Sequence, residues 1–233
     1  VAAPSDNDSR GLAALTRLVA ERTRKPFAPD AEAMQTREAL KAAGGDESVL
    51  AAWRAAIAPS VELRRIAVWG GADPAAAADL ARRRFGFHAT LETAATPEAA
   101  LTAAKTSASV AVLALDDHTP WWGRLLAEPR LNVCAILPET PHPAPVSALA
   151  VAAVPVEPTG VDETLWVTDA RAADAALEAA LGQAGFAARW IASAGGLKLF
   201  GLAGYVQRQD PRLLAVPGRL NGVIGAAASP FEA

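Results

Sequence analysis

One cysteine, Cys134, in 233 residues excludes an intrachain disulfide, as suits a reducing compartment. The three histidines, His88, His118 and His142, are scattered along the chain, and no spacing of His, Cys or acidic residues reads as a metal site. Basic residues give no excess: 22 Lys and Arg face 25 Asp and Glu, for a net charge of -3. A nucleic-acid partner or an anionic membrane surface has no electrostatic footprint here. No apolar run reaches the roughly 18 residues of a membrane helix, and the first residues show no charged-then-apolar export signal. These absences lead to the expectation of a cytoplasmic protein with neither membrane nor nucleic acid as partner. Hydrophobic residues make up 52% of the chain, enough for real cores, and the length allows one large domain or two to three small ones.

The most patterned stretch is 65–117. An apolar run from Ile66 to Trp69 reaches Gly70-Gly71, and Asp73-Pro74 then supplies an N-cap and a first-turn proline, the usual start of a helix. Thr90–Thr93 reads as a second strand, Thr96-Pro97-Glu98 as a second helix start, and Val110–Leu115 as a third strand ending at Asp116-Asp117. Such a β-α-β-α-β order predicts parallel strands with a ligand crevice at their carboxyl ends. Before it, leucines at helical spacing over 10–24, Asp30 as the cap of a second helix through Lys41, and Asp46 as the cap of a third through about Leu63 predict a small helical segment, with Pro59 kinking or shortening the last. After it come strands at Leu131–Leu137 and Ala148–Val156, joined by the proline-rich stretch 138–146. His118-Thr119-Pro120 reads as a helix start that leads into Trp121-Trp122.

Beyond the connector 157–163 the pattern resets. A strand at Thr164–Thr168, a helix from Ala170 to Gln183, a hairpin of Phe186–Ser193 and Leu197–Val206 around Gly195-Gly196, a short helix capped by Asp210 and a final strand at Leu220–Ala226 follow the order β-α-β-β-α-β. The expected fold is therefore mixed α+β and α/β: a helical segment over 1–64, a central parallel-sheet α/β unit over 65–157, and a C-terminal ferredoxin-like unit over 158–233.

Taken in sequence, LVAERTR at 18–24 with Arg37-Glu38, then IAVWGGADPAAAADLARRRFG, then the C-terminal stretch with Val223-Ile224-Gly225, resemble the bifunctional chorismate mutase/prephenate dehydratase proteins, with their ACT regulatory domain last. The resemblance implies mutase positions at Arg22, Arg37, Glu38 and Ser60, with Lys25 as the nearest substitute for the catalytic lysine and Arg64 where the ether-facing glutamine stands. It also places Ser147-Ala148-Leu149 on the dehydratase Thr-Arg-Phe motif, and Gly195-Gly196 and the turn from Ala170 to Asp174 where ACT domains meet effector amino acids. Chorismate mutase catalysis rests on cations around a dianion, and several of those cations are missing. The expected function is a catalytically degenerate relative, acting as a ligand- or partner-binding protein in aromatic amino-acid metabolism. The alternative is a weak or partner-dependent chorismate mutase, with the missing arginine weighing against dehydratase activity. Chorismate, prephenate or an aromatic amino acid is the expected ligand, a homodimer the expected assembly, and no cofactor is implied.

Gly71 and Asp73 at a helix start and Asp116 at a strand end are candidate ligand-binding positions, and the dehydratase resemblance adds Ser147, in place of that motif's hydroxyl. Gly70-Gly71 fits neither a dinucleotide fingerprint nor a phosphate loop with its lysine. Cys134, between Val133 and Ala135, reads as a buried thiol rather than a nucleophile. Trp121 and Trp122 read as core in preference to a cleft wall.

Overall fold

The computed structural model describes residues 25–44, 48–140 and 145–231. In chain order these form β1 (Lys25–Pro26), α1 (Pro29–Ala42), α2 (Ser48–Ile57), β2 (Val61–Glu62), β3 (Arg65–Trp69), α3 (Pro74–Phe85), β4 (Thr90–Thr93), α4 (Pro97–Ala104), β5 (Ser109–Ala114), β6 (Asn132–Leu137), β7 (Ala148–Ala152), β8 (Asp162–Thr168), α5 (Asp174–Gln183), β9 (Ala188–Ala194), β10 (Leu197–Ala203) and β11 (Asn221–Ala228). Short 3₁₀ segments at Ala58–Ser60, Trp121–Ala127 and Pro211–Ala215 complete the list. The fold is mixed α/β.

Nine strands make one mixed sheet in the order β4-β3-β5-β7-β6-β11-β8-β10-β9, and β1 and β2 pair separately. β3 runs parallel to both β4 and β5, as the β-α-β-α-β pattern predicts. α3 packs on one face through Ala77, Ala81 and Phe85. α4 packs on the other through Ala100, Leu101 and Ala104. The strand order therefore reverses between β3 and β5, a topological switch point. β7 then enters antiparallel to both β5 and β6, which corrects the expectation of a purely parallel centre. The connector 138–146 carries too few residues for a parallel crossover and returns the chain as an antiparallel neighbour.

The last four strands stand in the order β11-β8-β10-β9, which joins the first five through a parallel β6–β11 contact at Gly225 and Val133. One continuous sheet thus spans the expected boundary at 157/158. The loop after β5 and the turn before β10 lie five strand positions apart in this order, roughly 24 Å in a flat sheet. Yet a Cβ on Gly195 would lie 2.7 Å from Pro120 Cγ, and one on Gly123 2.2 Å from Leu197 Cδ1. The sheet is curled enough to bring its two halves together around the 3₁₀ segment Trp121–Ala127.

Alternation explains the three-part core. Ala67, Leu113, Leu149, Val133, Ile224, Leu165 and Leu199 share one face with the fully buried Trp121 and Trp122, so the tryptophans are core. The opposite face divides. Ile66, Val68, Val110, Val112 and Ala150 pack under α3, while Trp166, Phe200 and Val223 pack under α5 and Leu213.

Several local expectations change. Asp30 is not a cap: α1 begins at Pro29, its N-cap is Ala28, and Asp30 points across to accept the Glu157 N–H at 2.7 Å. The third helix stops at Ile57, because Pro59 falls in a 3₁₀ turn before β2. α5 starts at Asp174 rather than Ala170, and the element after Asp210 is 3₁₀. His118 and Thr119 give their N–H groups to Asp116 Oδ1 at 2.8 and 2.6 Å, a turn that delays the following segment to Trp121. The expected helix over 10–24 and the Asp46 cap lie outside the described residues.

Candidate functional site

The carboxyl ends of β3 and β5 bring together two of the sequence-predicted ligand positions. Gly71 has φ 55°, and a Cβ there would lie 3.0 Å from Asp116 Oδ2. Asp116 Oδ1 is spent on the two turn N–H groups, which leaves Oδ2 facing the glycine. Asp73 Oδ1 accepts the Ala76 N–H at 2.9 Å and is the N-cap of α3. Ser147 is exposed and borders the same rim, its carbonyl accepting the Leu115 N–H at 2.9 Å.

The positions drawn from the mutase resemblance do not converge in this way. Arg37 gives its guanidinium to the Thr159 carbonyl at 3.2 Å and the Ser229 carbonyl at 2.7 Å. It fastens α1 to the end of β11. Glu38 is exposed on α1. Ser60 Oγ donates to the Ile57 carbonyl at 2.7 Å. Lys25 and Arg64 are exposed, and Arg22 lies outside the described residues.

A larger concavity, missed in the sequence, opens at the far end of β8 and the near end of β11. Thr168 is fully buried at the end of β8; its Oγ1 donates to the Pro217 carbonyl at 3.1 Å and accepts the Ala170 N–H at 3.1 Å. Asp169 Oδ1 accepts the Arg219 and Leu220 N–H groups at 2.8 and 3.0 Å. Gly218, at φ 140°, lets the second turn lie on Thr168, because a Cβ would come within 2.3 Å of its Oγ1. The two turns stand as walls of a groove of about 650 Å³, lined by residues 169–172 and 217–219.

The groove is cationic. Asp169 is its one acid, and the hydrogen bond from Leu220, followed by that from Arg219, holds its carboxyl below the usual range. Arg171 and Arg219 are exposed, and their side chains make no hydrogen bond or ion pair with any described residue. Two guanidiniums against one carboxylate leave one positive charge. The Arg171 and Ala172 N–H groups also have no acceptor among the described residues. The nearby Lys198 is occupied, its ammonium reaching the Ala172 carbonyl and Asp174 Oδ1, both at 2.6 Å. The arrangement can hold an anion by charge and by main-chain donors. Pro217-Gly218 is a turn signal in the sequence, but nothing there shows that it meets Asp169, 49 positions earlier.

A second cluster is buried under α1, α2 and α3. Arg84 Nη2 reaches Glu32 Oε2 at 3.0 Å, and Arg54 Nη2 reaches both Glu139 oxygens at 2.8 and 2.9 Å. Arg54 and Arg84 side chains are each 3% exposed. Burial, then the Arg84 charge, pushes the Arg54 guanidinium down, while Glu139 and Glu32 outweigh burial and raise that of Arg84. Neighbouring Cys134 is buried, its thiol pushed up to about 12 by desolvation. Among the described residues no group of three or more His, Cys, Asp or Glu could hold a metal, and no helix is long and apolar enough to cross a membrane.

No protein-family model matches the chain, and no curated protein matches it. A solved structure described as "GqqA- a novel type of quorum quenching acylases" is similar, at 15% identity and a TM-score of 0.45, over 71% of this chain and 95% of that one. These findings correct the mutase/dehydratase reading. No model of that family matches, and Arg37 is committed to main-chain carbonyls. The expected role in aromatic amino-acid metabolism, as degenerate relative or as weak mutase, falls with it.

Proposed function

We propose that this protein binds a small organic anion, a carboxylate or phosphate monoester, in the groove between Asp169–Ala172 and Pro217–Arg219. One observation carries the reading: two exposed guanidiniums that make no hydrogen bond to a described residue, that of Arg219 partly answering the Asp169 charge, and two main-chain N–H groups without acceptors among the described residues line a concavity of about 650 Å³ whose one acid already holds two N–H groups. The volume suits a metabolite-sized ligand. The ferredoxin-like reading of 158–233 supports it, since Asp169 and Gly218 join the end of the first strand of that unit to the start of its last. Titration calorimetry with a panel of carboxylates and phosphate monoesters tests it. Binding should disappear in the Arg171→Ala/Arg219→Ala double variant while the unfolding midpoint without ligand stays put. A ligand whose binding survives that substitution would refute the assignment.

The rim at Gly71, Asp73, Asp116 and Ser147 supports a second reading, a polar ligand that donates hydrogen bonds to Asp116 Oδ2. Asp116→Asn should weaken such a ligand without touching anion binding in the groove. We extend the proposal to a cytoplasmic homodimer, for which the half-exposed Trp190 on edge strand β9 is the supporting feature. Sedimentation as a 24.0 kDa species at micromolar concentration would exclude the dimer.

A further inference from the structure

Strand β9 is one edge of the nine-stranded sheet, yet its main chain is not left open. The Ala203 N–H donates to the Ala187 carbonyl at 2.8 Å. The alternation of an antiparallel pair therefore turns the N–H and C=O of Ala188 and Trp190 away from β10. At the other end the two-residue turn Gly195-Gly196 closes on Ala194 and Leu197, which turns Ser193 outward in the same way. Between them the register breaks. Leu199 faces Ala192 and Phe200 faces Trp190, with Ile191 left over. The outward groups thus stand at 188, 190 and 193, and this uneven spacing matches no straight strand across both halves.

Residues 188–190 alone keep the alternation that a further strand needs, and there a side chain intervenes. Glu178 of α5 reaches over the edge, and its Oε1 accepts the Trp190 N–H at 2.7 Å. The indole N–H of the same residue goes to Ser193 Oγ at 2.8 Å. The remaining chemistry of β9 favours pairing. Its one charge, Arg189, is held by both Glu163 oxygens at 2.7 and 2.8 Å, and the rest of the strand is apolar but for Ser193. Weakly charged, apolar edges are the ones that pair with other chains.

We propose that Glu178 is an autoinhibitory plug on this edge, and that the partner it keeps out is β9 of a second copy. A two-fold axis at Arg189 would set Ala188 opposite Trp190 of the copy. Each Trp190 N–H would then donate to the other's Ala188 carbonyl, and each Ala188 N–H to the other's Trp190 carbonyl. The large indole faces a methyl group, and each Arg189 arrives with its own Glu163, so like charges do not meet uncompensated. With Glu178 in place, half of these bonds lack a free donor, and the carboxylate stands where the strand would lie. The plug is independent of the anion groove. It leaves the homodimer proposed above the Trp190 indole to use, not the β9 main chain.

The test is sedimentation velocity of the whole chain across a concentration series. Glu178→Ala, on a helix that alanine suits, should add an association step that the unmodified chain lacks and raise the mass above it. Glu178→Gln keeps an acceptor oxygen and should sediment as the unmodified chain does. Ala188→Pro, added to Glu178→Ala, removes a donor that points away from β10, a change an edge strand tolerates. It should abolish the added step and leave the circular dichroism spectrum unchanged. Deuterium exchange at the Trp190 N–H should quicken in Glu178→Ala at the dilute end of the series. Unchanged sedimentation of Glu178→Ala, equal association of Glu178→Gln, or association that survives Ala188→Pro would each overturn the plug.

Discussion

Gly225 of β11 lies so close to Val133 of β6 that a Cβ on it would stand 2.4 Å from both the Val133 nitrogen and oxygen. It is the one residue of β11 with a register partner in β6, and its φ of 147° is a conformation that side chains resist. The two halves of the nine-stranded sheet therefore meet at a position only glycine can fill. Gly225→Ala must push main chain against main chain, and no rotamer can relieve it. We expect a loss of about 3–5 kcal/mol, the range of severe backbone and packing lesions, read as a fall in the urea midpoint. A loss under about 1 kcal/mol would show that the halves are not joined there.

The cost of one missing partner should be large in the Glu32–Arg84–Glu139–Arg54 cluster. Glu139→Leu strands Arg54 without its bidentate partner in a site 3% exposed. Removing one member of a buried pair typically costs about 3–5 kcal/mol. Arg54→Met made together with Glu139→Leu should recover most of that. The double-variant cycle in guanidinium chloride checks it, and additive losses would mean that the two side chains do not act as a pair.

Legibility in the sequence followed the range of the interaction. Asp73-Pro74 and Thr96-Pro97 announced α3 and α4 because a cap and its proline are neighbours, and the unbroken apolar run 110–115 announced a buried strand. Asp30 shows where that logic stops. A first-turn aspartate before an apolar repeat looks like a cap, but its partner is Glu157, 127 positions away. The rim at Gly71 and Asp116 was legible because both sit at strand ends within one β-α-β-α-β run. The groove was not, because Thr168 and Asp169 meet Pro217, Gly218 and Arg219 only after α5 and a hairpin intervene.

Asp30 should make the protein less stable as pH rises, the reverse of the usual aspartate. Burial, outweighing the hydrogen bond from Glu157, raises its carboxyl above the ordinary 3.8, and its Oδ1 is buried without a partner. The folded state thus holds the proton better than the unfolded chain does. Its contribution is present below the unfolded pKa and is lost as pH climbs through the raised value. Asp30→Asn keeps an oxygen for the Glu157 N–H and removes the charge. It should raise the unfolding midpoint at pH 7 and leave it unchanged at pH 3. A fall at pH 7 would mean that the charge itself is used.

Asp169 has the opposite sign. Its carboxyl is depressed by the Leu220 and Arg219 N–H groups, so the hold on the 217–220 turn is complete above the unfolded pKa and fails as pH drops through the lower folded value. Thr168→Val attacks the same turn at any pH. It leaves the Ala170 N–H and the Pro217 carbonyl without partners, at about 1–3 kcal/mol for a buried group left unsatisfied. Anion binding in the groove should weaken with it, because Arg219 is carried by the released turn. Unchanged affinity in a destabilised Thr168→Val protein would separate the walls from the ligand.

Cys134 should be silent toward thiol reagents until the chain opens. Its Sγ lies 3.5 Å from the Ala150 carbonyl, it is 3% exposed, and desolvation pushes it up to about 12. The thiolate is the reactive species, so at pH 8 almost none is present even where a reagent could reach. Labelling by a chromogenic disulfide should follow the unfolding equilibrium. It should speed up with urea in step with the loss of tryptophan fluorescence, and slow in any buffer that stabilises the fold. Stoichiometric labelling within seconds under native conditions would contradict the packing of β6 against β7, since the Cys134 face of that ribbon is covered by α1 together with residues of α3 and the other face by Trp122 and Leu125.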